Sequence, residues 1–272
     1  MKLLFIHQNF PGQFVHLAQA LARKQGIDVH TLTISKRPII NEITTHQYKI
    51  TRNSSKEIHP WIIDLETKTI RGEAVYYAAK QLKQKGYYPE LIFAHPGWGE
   101  SLFLKDVWPD SKLAVYCEYY YNIINGDVGF DPEFDTQDPN IAPRLRMKNA
   151  NHDLHLLCAT RGLSPTRYQR NTFPPFFREK IDVIHDGIDT SVAIENTNAI
   201  FEFQGLKLNK SDEVVTFVNR NLEPLRGYHI FMRSLEKVLH ERPNAKIVIV
   251  GGDAVSYGSA APNSSWKDIF LS

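Results

Sequence analysis

Apolar residues come along this chain in short unbroken runs, and the segments between them carry helical spacing. Leu3, Leu4, Phe5 and Ile6 follow one another in residues 2–7, which predicts a strand buried on both faces. Beyond a turn at residues 9–12, Phe14, Leu17, Ala18 and Leu21 fall at i, i+3, i+4 and i+7, one face of a helix. Residues 28–34 predict a second strand. Strand, helix and strand in that order open a parallel sheet covered by helices. The alternation continues with a helix over 73–85, where Ala74, Ala78 and Leu82 are four apart, and with strands over 90–95 and 112–117. Residues 119–139 are rich in Tyr, Asn, Gly, Asp and Pro, lack a period, and predict a long functional loop. A helix over 141–152, a short strand over 154–159, a break at Pro174 and Pro175 and a last strand over 181–184 complete a first domain, 1–189.

Residues 190–212 are polar with scattered apolar positions and read as an interdomain connection. A new unit then opens. It has a strand over 214–218, a helix over 227–240 with Phe231, Leu235 and Val238 on one face, and a strand over 246–250. The pattern predicts an α/β protein with one complete Rossmann-like domain and, over 213–272, the first βαβ unit of a second Rossmann-like domain. One βαβ unit, about 30 residues, cannot bury both faces of a parallel sheet. The expectation is that the chain is a fragment, that the second unit is unstable, or that another copy covers it in a homo-oligomer.

Composition narrows the classes. With 42% hydrophobic residues and a formal charge of +2, the chain can form a sizeable core and carries no charge block that calls for nucleic acid. Cys117 and Cys158 lie in apolar stretches and read as buried thiols in a reducing compartment. The first apolar run is too short for a signal peptide, and no stretch approaches the roughly 20 apolar residues that span a bilayer. The chain reads as soluble and cytoplasmic.

Ligands of open α/β sheets bind beyond the carboxyl ends of the strands, and three places qualify. Gly12 follows the first strand and opens the first helix, where a glycine admits a ligand to the backbone and helix N–H groups favour an anion; it is equally a turn glycine. Arg220 ends a strand, and Arg226 and Gly227 stand at the mouth of the next helix. Two guanidinium groups beside helix N–H groups suit a diphosphate, although a pair of loop arginines is also ordinary surface. His95 and Glu118 end two strands and would face one cleft edge, as a proton shuttle and a hydroxyl acceptor or as loop caps. His152, Asp153 and His155 have metal-like spacing but read as a surface helix end without a further ligand, and residues 185–189 read as a strand-to-turn closure, so no metal is expected. Tyr119, Tyr120 and Tyr121 either stack on a sugar or pack in the core. No GxGxxG run supports a nicotinamide dehydrogenase, and no nucleophile motif surrounds Ser164 or the cysteines.

Four motifs in order carry a resemblance. Residues 183–190, VIHDGIDT, resemble the VIPNGVD interdomain motif of the GT-B fold glycosyltransferases of family 4, the group 1 retaining enzymes. Residues 217–227 resemble that family's GR…KG motif, with Arg226 in the lysine's place. PELIFAH at 89–95 resembles its PDVIHAH strand, and residues 246–252 its next glycine-ended strand.

The resemblance implies a GT-B-like fold with an acceptor-side first domain and a nucleotide-sugar-binding second domain. Arg220, Arg226 and Gly227 would meet the donor diphosphate, with Gly12 close to it, and His95 and Glu118 would serve the chemistry. No cofactor or metal is implied, since a nucleotide-diphosphate sugar is the donor substrate. The acceptor would be a saccharide or a lipid-linked group, which leaves peripheral contact at the inner face of the membrane open. Two features depart from the family: a histidine is usual where Glu118 stands, and the family's E-x7-E pair is missing, because Glu223, Glu236 and Glu241 do not have that spacing. A fragment without transfer activity is therefore one expectation. A non-catalytic binding or partner protein that keeps the cleft is the alternative, and a sugar-nucleotide epimerase is a third.

Overall fold

The computed structural model describes residues 1–36, 40–124, 126–134 and 138–271. The chain forms two compact units: unit 1 is Met1–Phe130 with Gln137–Asp189, and unit 2 is Asp131–Thr136 with Thr190–Ser272.

Unit 1 alternates strands and helices. In chain order these are β1 (Lys2–Ile6), α1 (Val15–Ala22), β2 (Asp28–Thr33), β3 (Thr44–Gln47), α2 (Ile63–Gln84), β4 (Leu91–Ala94), α3 (Leu104–Val107), β5 (Lys112–Tyr116), α4 (Ile141–Cys158), β6 (Arg161–Ser164), α5 (Arg167–Thr172), α6 (Pro175–Arg178) and β7 (Ile181–Val183). The strands lie in the order β3-β2-β1-β4-β5-β6-β7, and each neighbouring pair is parallel. This is the Rossmann-like α/β sheet expected. Successive strand residues point to opposite faces, so β1 feeds two cores. Leu4 and Ile6 join Val75 and Ala79 of α2, Leu104 of α3 and Leu156 of α4. Leu3 and Phe5 join Phe14 and Ala18 on the other side.

The structure corrects two readings. Residues 154–158 are the last turn of α4, and the next strand is β6 at Arg161–Ser164. No glycine or proline interrupts residues 144–158, and a short apolar run cannot by itself separate strand from helix. Cys158 consequently faces out from the helix and is exposed, whereas Cys117 is buried and its thiol is pushed up to about 12. Residues 119–124, 126–134 and 138–139 contain no helix or strand, and residues 125 and 135–137 of the expected long loop lie outside the described residues.

Unit 2 contains a hairpin of β8 (Phe201–Phe203) and β9 (Leu206–Leu208), then β10 (Val214–Asn221), α7 (Tyr228–Glu241), β11 (Lys246–Gly252) and α8 (Trp266–Leu271). Gln204 and Gly205, both at positive φ, make the two-residue turn of the hairpin. Strands β10 and β11 are parallel, and α7 packs on them through Phe217, whose ring lies 5.7 Å from Tyr228 and 4.8 Å from Phe231. Val218 and Val250 remain exposed. Among the described residues no helix is long and apolar enough to cross a membrane.

Two left-handed glycines have different neighbours. A Cβ on Gly12 (φ +48°) would lie 2.3 Å from the His7 ring, whereas one on Gly227 (φ +78°) would meet nothing within 4 Å. Gly227→Ala should therefore cost only backbone strain, about 1 kcal/mol. Gly12→Ala adds a clash and should cost about 2–4 kcal/mol. Urea unfolding of the two variants checks the order; equal losses would contradict it.

Glu100 is fully buried and accepts from the Tyr48 hydroxyl and the Gln8 backbone N–H, with Arg71 nearby. Burial dominates and pushes its carboxyl up to about 7. A carboxyl raised on folding stabilises the fold below its unfolded pKa, and that contribution is lost as pH rises through about 7. Between about pH 4 and 8 this group should remove about 3 kcal/mol of stability. Glu100→Gln should flatten that part of the profile in urea midpoints measured across the range; an unchanged slope would contradict the assignment.

Candidate functional site

The carboxyl edge of the unit 1 sheet gathers His7, His95 and Glu118, which follow the adjacent strands β1, β4 and β5. His95 is 4% exposed, and its Nδ1 accepts the Gly97 N–H at 3.1 Å. That assigns the proton of the neutral ring to Nε2, which donates to Glu118 Oε2 at 3.1 Å. The ring is fixed by stacking on Tyr116 (5.3 Å) and by contact with Trp98 (4.8 Å). His7 repeats the logic. Its Nδ1 accepts from Asn9 N–H at 3.0 Å, so Nε2 donates to Gln13 Oε1 at 2.8 Å. Gly12 lets the chain pass directly over that ring. The Glu118 side chain is 43% exposed, so it is the member of the pair that solvent reaches.

The closing turn after β7 is tied to the same edge. The Tyr116 hydroxyl donates to both carboxylate oxygens of Asp186, at 3.0 and 2.9 Å. Burial and Asp186 together raise that hydroxyl's pKa. Residues 185–189 thus serve as a strand-to-turn closure. His152 and His155, read as a surface helix end, are instead buried in α4. His155 Nδ1 donates to the Asn151 carbonyl at 2.6 Å, and burial holds the ring down to about 4. Asp153 accepts from Tyr120 at 3.0 Å. Tyr120 packs on Phe173, so this member of the tyrosine run belongs to the core. Tyr121 lies under Lys148 Nζ at 3.6 Å.

In unit 2, the 3-10 turn Pro224–Arg226 and the left-handed Gly227 lead from β10 into α7. The first N–H groups of a helix have no intrahelical acceptor and carry the positive end of its dipole. Arg226 and Gly227 stand at that end, and Arg220 is exposed near the end of β10. Glu223, one of the three glutamates that lack the E-x7-E spacing, is completely buried. Its Oε2 accepts the N–H groups of Ser256, Tyr257 and Gly258 at 2.9, 3.3 and 3.4 Å. Its Oε1 lies 3.7 Å from Arg226 Nε, and the Arg226 guanidinium covers the Tyr257 ring at 4.8 Å. One carboxylate therefore braces the arginine and the loop after β11. The only sequence signal was an acidic residue placed between a strand end and Pro224.

His95 and Glu118 are thus brought into contact, with Gly12 on the neighbouring turn, and Arg226 and Gly227 are contiguous at the start of α7. Among the described residues one group has cation-like spacing: Asp131, Glu133 and His229, with ligand atoms within 4.8 Å. Arg233 takes both Glu133 oxygens at 2.7 and 2.5 Å and holds that carboxyl below its usual range, while His229 contacts Asp131 at 2.9 Å. The group's charges already pair with one another, which makes it an ion-pair network of unit 2.

Comparison with known proteins identifies the family and the fold. Residues 25–193, more than half of the chain, match the family model described as glycosyl transferase family 4 group. A stretch of 73 residues, 27% of the chain, is 32% identical to the D-inositol 3-phosphate glycosyltransferase of Segniliparus rotundus, and it spans only 16% of that enzyme's length. The catalytic domain of starch synthase IV from Arabidopsis thaliana, solved with ADP and acarbose, superposes with a TM-score of 0.52 at 15% identity, over 92% of this chain and 68% of that one. UGT2 of Phytolacca americana, solved with UDP-2-fluoro-glucose and pterostilbene, gives 0.51 at 10% identity, over 91% and 71%. These two likenesses concern the fold, which is of the Rossmann-like GT-B kind. With the family model covering most of unit 1 and the fold in agreement, the chain belongs to the glycosyl transferase family 4 group.

Proposed function

We propose that this protein moves a sugar from a nucleotide-diphosphate donor to a saccharide or lipid-linked acceptor, with retention at the anomeric carbon. The observation that carries the reading is the braced arginine at the start of α7. A guanidinium ion-paired with a buried carboxylate, at the positive end of the α7 dipole, is a preorganised anion site. The donor's diphosphate binds there through Arg226, Arg220 and the first turn of α7. As the bond from the anomeric carbon to the diphosphate oxygen breaks, negative charge gathers on the leaving group, and fixed cations stabilise it most at that moment. The acceptor oxygen bonds to the same face of the sugar, and its proton passes to the departing diphosphate or to Glu118. His95 orients the Glu118 carboxylate through its Nε2–H. Gly12 leaves the backbone after β1 open to the ligand. With two guanidinium groups supplying the positive charge, the reading needs no bound metal. A lipid-linked acceptor would bring the reaction to the inner face of a membrane.

Calorimetric titration with UDP, ADP and GDP tests the donor half of the reading. At least one should bind, and Arg226→Ala should weaken it about tenfold or more. Glu118→Gln should leave that affinity intact and slow sugar transfer about a hundredfold. Failure of all three nucleotides to bind would overturn the reading. Binding with no transfer to any acceptor would favour a non-catalytic protein that keeps the donor site.

A further inference from the structure

A groove of about 590 Å³ runs along the β3 edge of unit 1 and shares no residue with the His95 edge. Its volume falls in the roughly 300–1,000 Å³ range of ligand pockets. One wall is a stripe of α2, Glu73, Tyr77 and Gln81, spaced four apart and so aligned along one helix face. Ala74 and Ala78, beside that stripe, leave the floor shallow and apolar. The opposite wall is the chain leaving β3, from Gln47 to Arg52. Three interactions hold the walls in place. Gln47 Nε2 donates to the Ser35 carbonyl at 3.0 Å, Tyr48 donates to buried Glu100, and Arg52 reaches across to Glu73 at 3.0 Å.

The chemistry of this lining is specific. Tyr77 is 56% exposed, and the edge-to-face contact with Tyr76 at 5.4 Å fixes its ring. A pyranose offers an apolar C–H face and a rim of hydroxyls. The Tyr77 ring and the alanine floor suit the face. The planar amide, carboxylate and guanidinium groups of Gln81, Glu73 and Arg52 suit paired hydroxyls. Arg52 and Glu73 pair with each other, so of the charged side chains in the lining Lys49 alone is left without an opposite charge there, and most of the surface offered is uncharged, which fits a neutral ligand. The geometry points to a second saccharide site on unit 1, taking two or three neutral pyranose units of the acceptor chain at a place apart from the reacting groups. The assignment rests on the glycosyl-transfer reading above.

Saturation-transfer NMR and titration with maltotriose, mannotriose and chitotriose test it, with a parallel UDP titration on every sample. At least one trisaccharide should bind with a Kd of about a millimolar. Tyr77→Ala should weaken it about tenfold, and Ala78→Leu, which fills the floor, should abolish it. Both variants should bind UDP as the parent does. Tyr77 is exposed, so its variant stays informative even if Ala78→Leu fails to fold. Binding of none of the three sugars, or binding that survives Tyr77→Ala unchanged, overturns the proposal. Loss of UDP binding by the parent protein would instead count against the donor reading.

Discussion

A parallel sheet has to end all its strands on one edge, and the chain leaving each strand has to turn there. In unit 1 that constraint sets three side chains from residues 7, 95 and 118 next to one another, although they lie far apart in sequence. The strands themselves are held by apolar burial. Leu3, Leu4, Phe5 and Ile6 are each at most 1% exposed, and each contributes about 1.5–3 kcal/mol. Orienting a histidine at the edge costs less than that. A buried imidazole needs its two nitrogens partnered, and here backbone and side chain supply the partners for His7 and His95. The ordered rings follow from the packed strands beneath them.

Unit 2 meets a different requirement with the same economy. A carboxylate taken fully out of water loses several kcal/mol of hydration. Charge-assisted hydrogen bonds of about 1.5–3 kcal/mol each offset this, and Glu223 accepts from three backbone N–H groups. The loop after β11 is thereby fastened to the turn that begins α7. The glycines of β11 allow the approach. A Cβ on Gly251 would lie 2.7 Å from Leu222, and one on Gly252 would lie 2.8 Å from Asn221 Oδ1. The arginine that the sequence pattern pointed to is held by this buried group, and its guanidinium is further ordered on Tyr257.

The α/β architecture was legible because central parallel strands are apolar throughout; β1, β4, β5 and β11 stand where the runs predict them. The strands that escaped were those without such runs. β3 is Thr44, Thr45, His46 and Gln47, an edge strand with little to bury. β6 begins with an arginine and a glycine, and the apolar run placed just before it is the end of α4. The hairpin of β8 and β9 is almost wholly exposed, so its alternation carries no core signal. The arginines and glycines of the α7 turn were visible as residue types at a strand–helix junction. Glu223 was not, because its importance comes from backbone N–H groups more than thirty positions away, which no local pattern encodes. The buried histidines of α4 were misjudged for a similar reason: their neighbours come from the fold rather than from the helix alone.

Donor binding as proposed depends on the first turn of α7 acting as an anion site beside Arg226 and Glu223. The most direct measurement is a ¹⁵N-edited NMR titration with UDP. The backbone amides of Gly227, Tyr228 and His229 and the Arg226 side-chain Nε–H should shift together and saturate at one affinity. Saturable shifts confined to other parts of the chain, with these four signals unmoved, would contradict it.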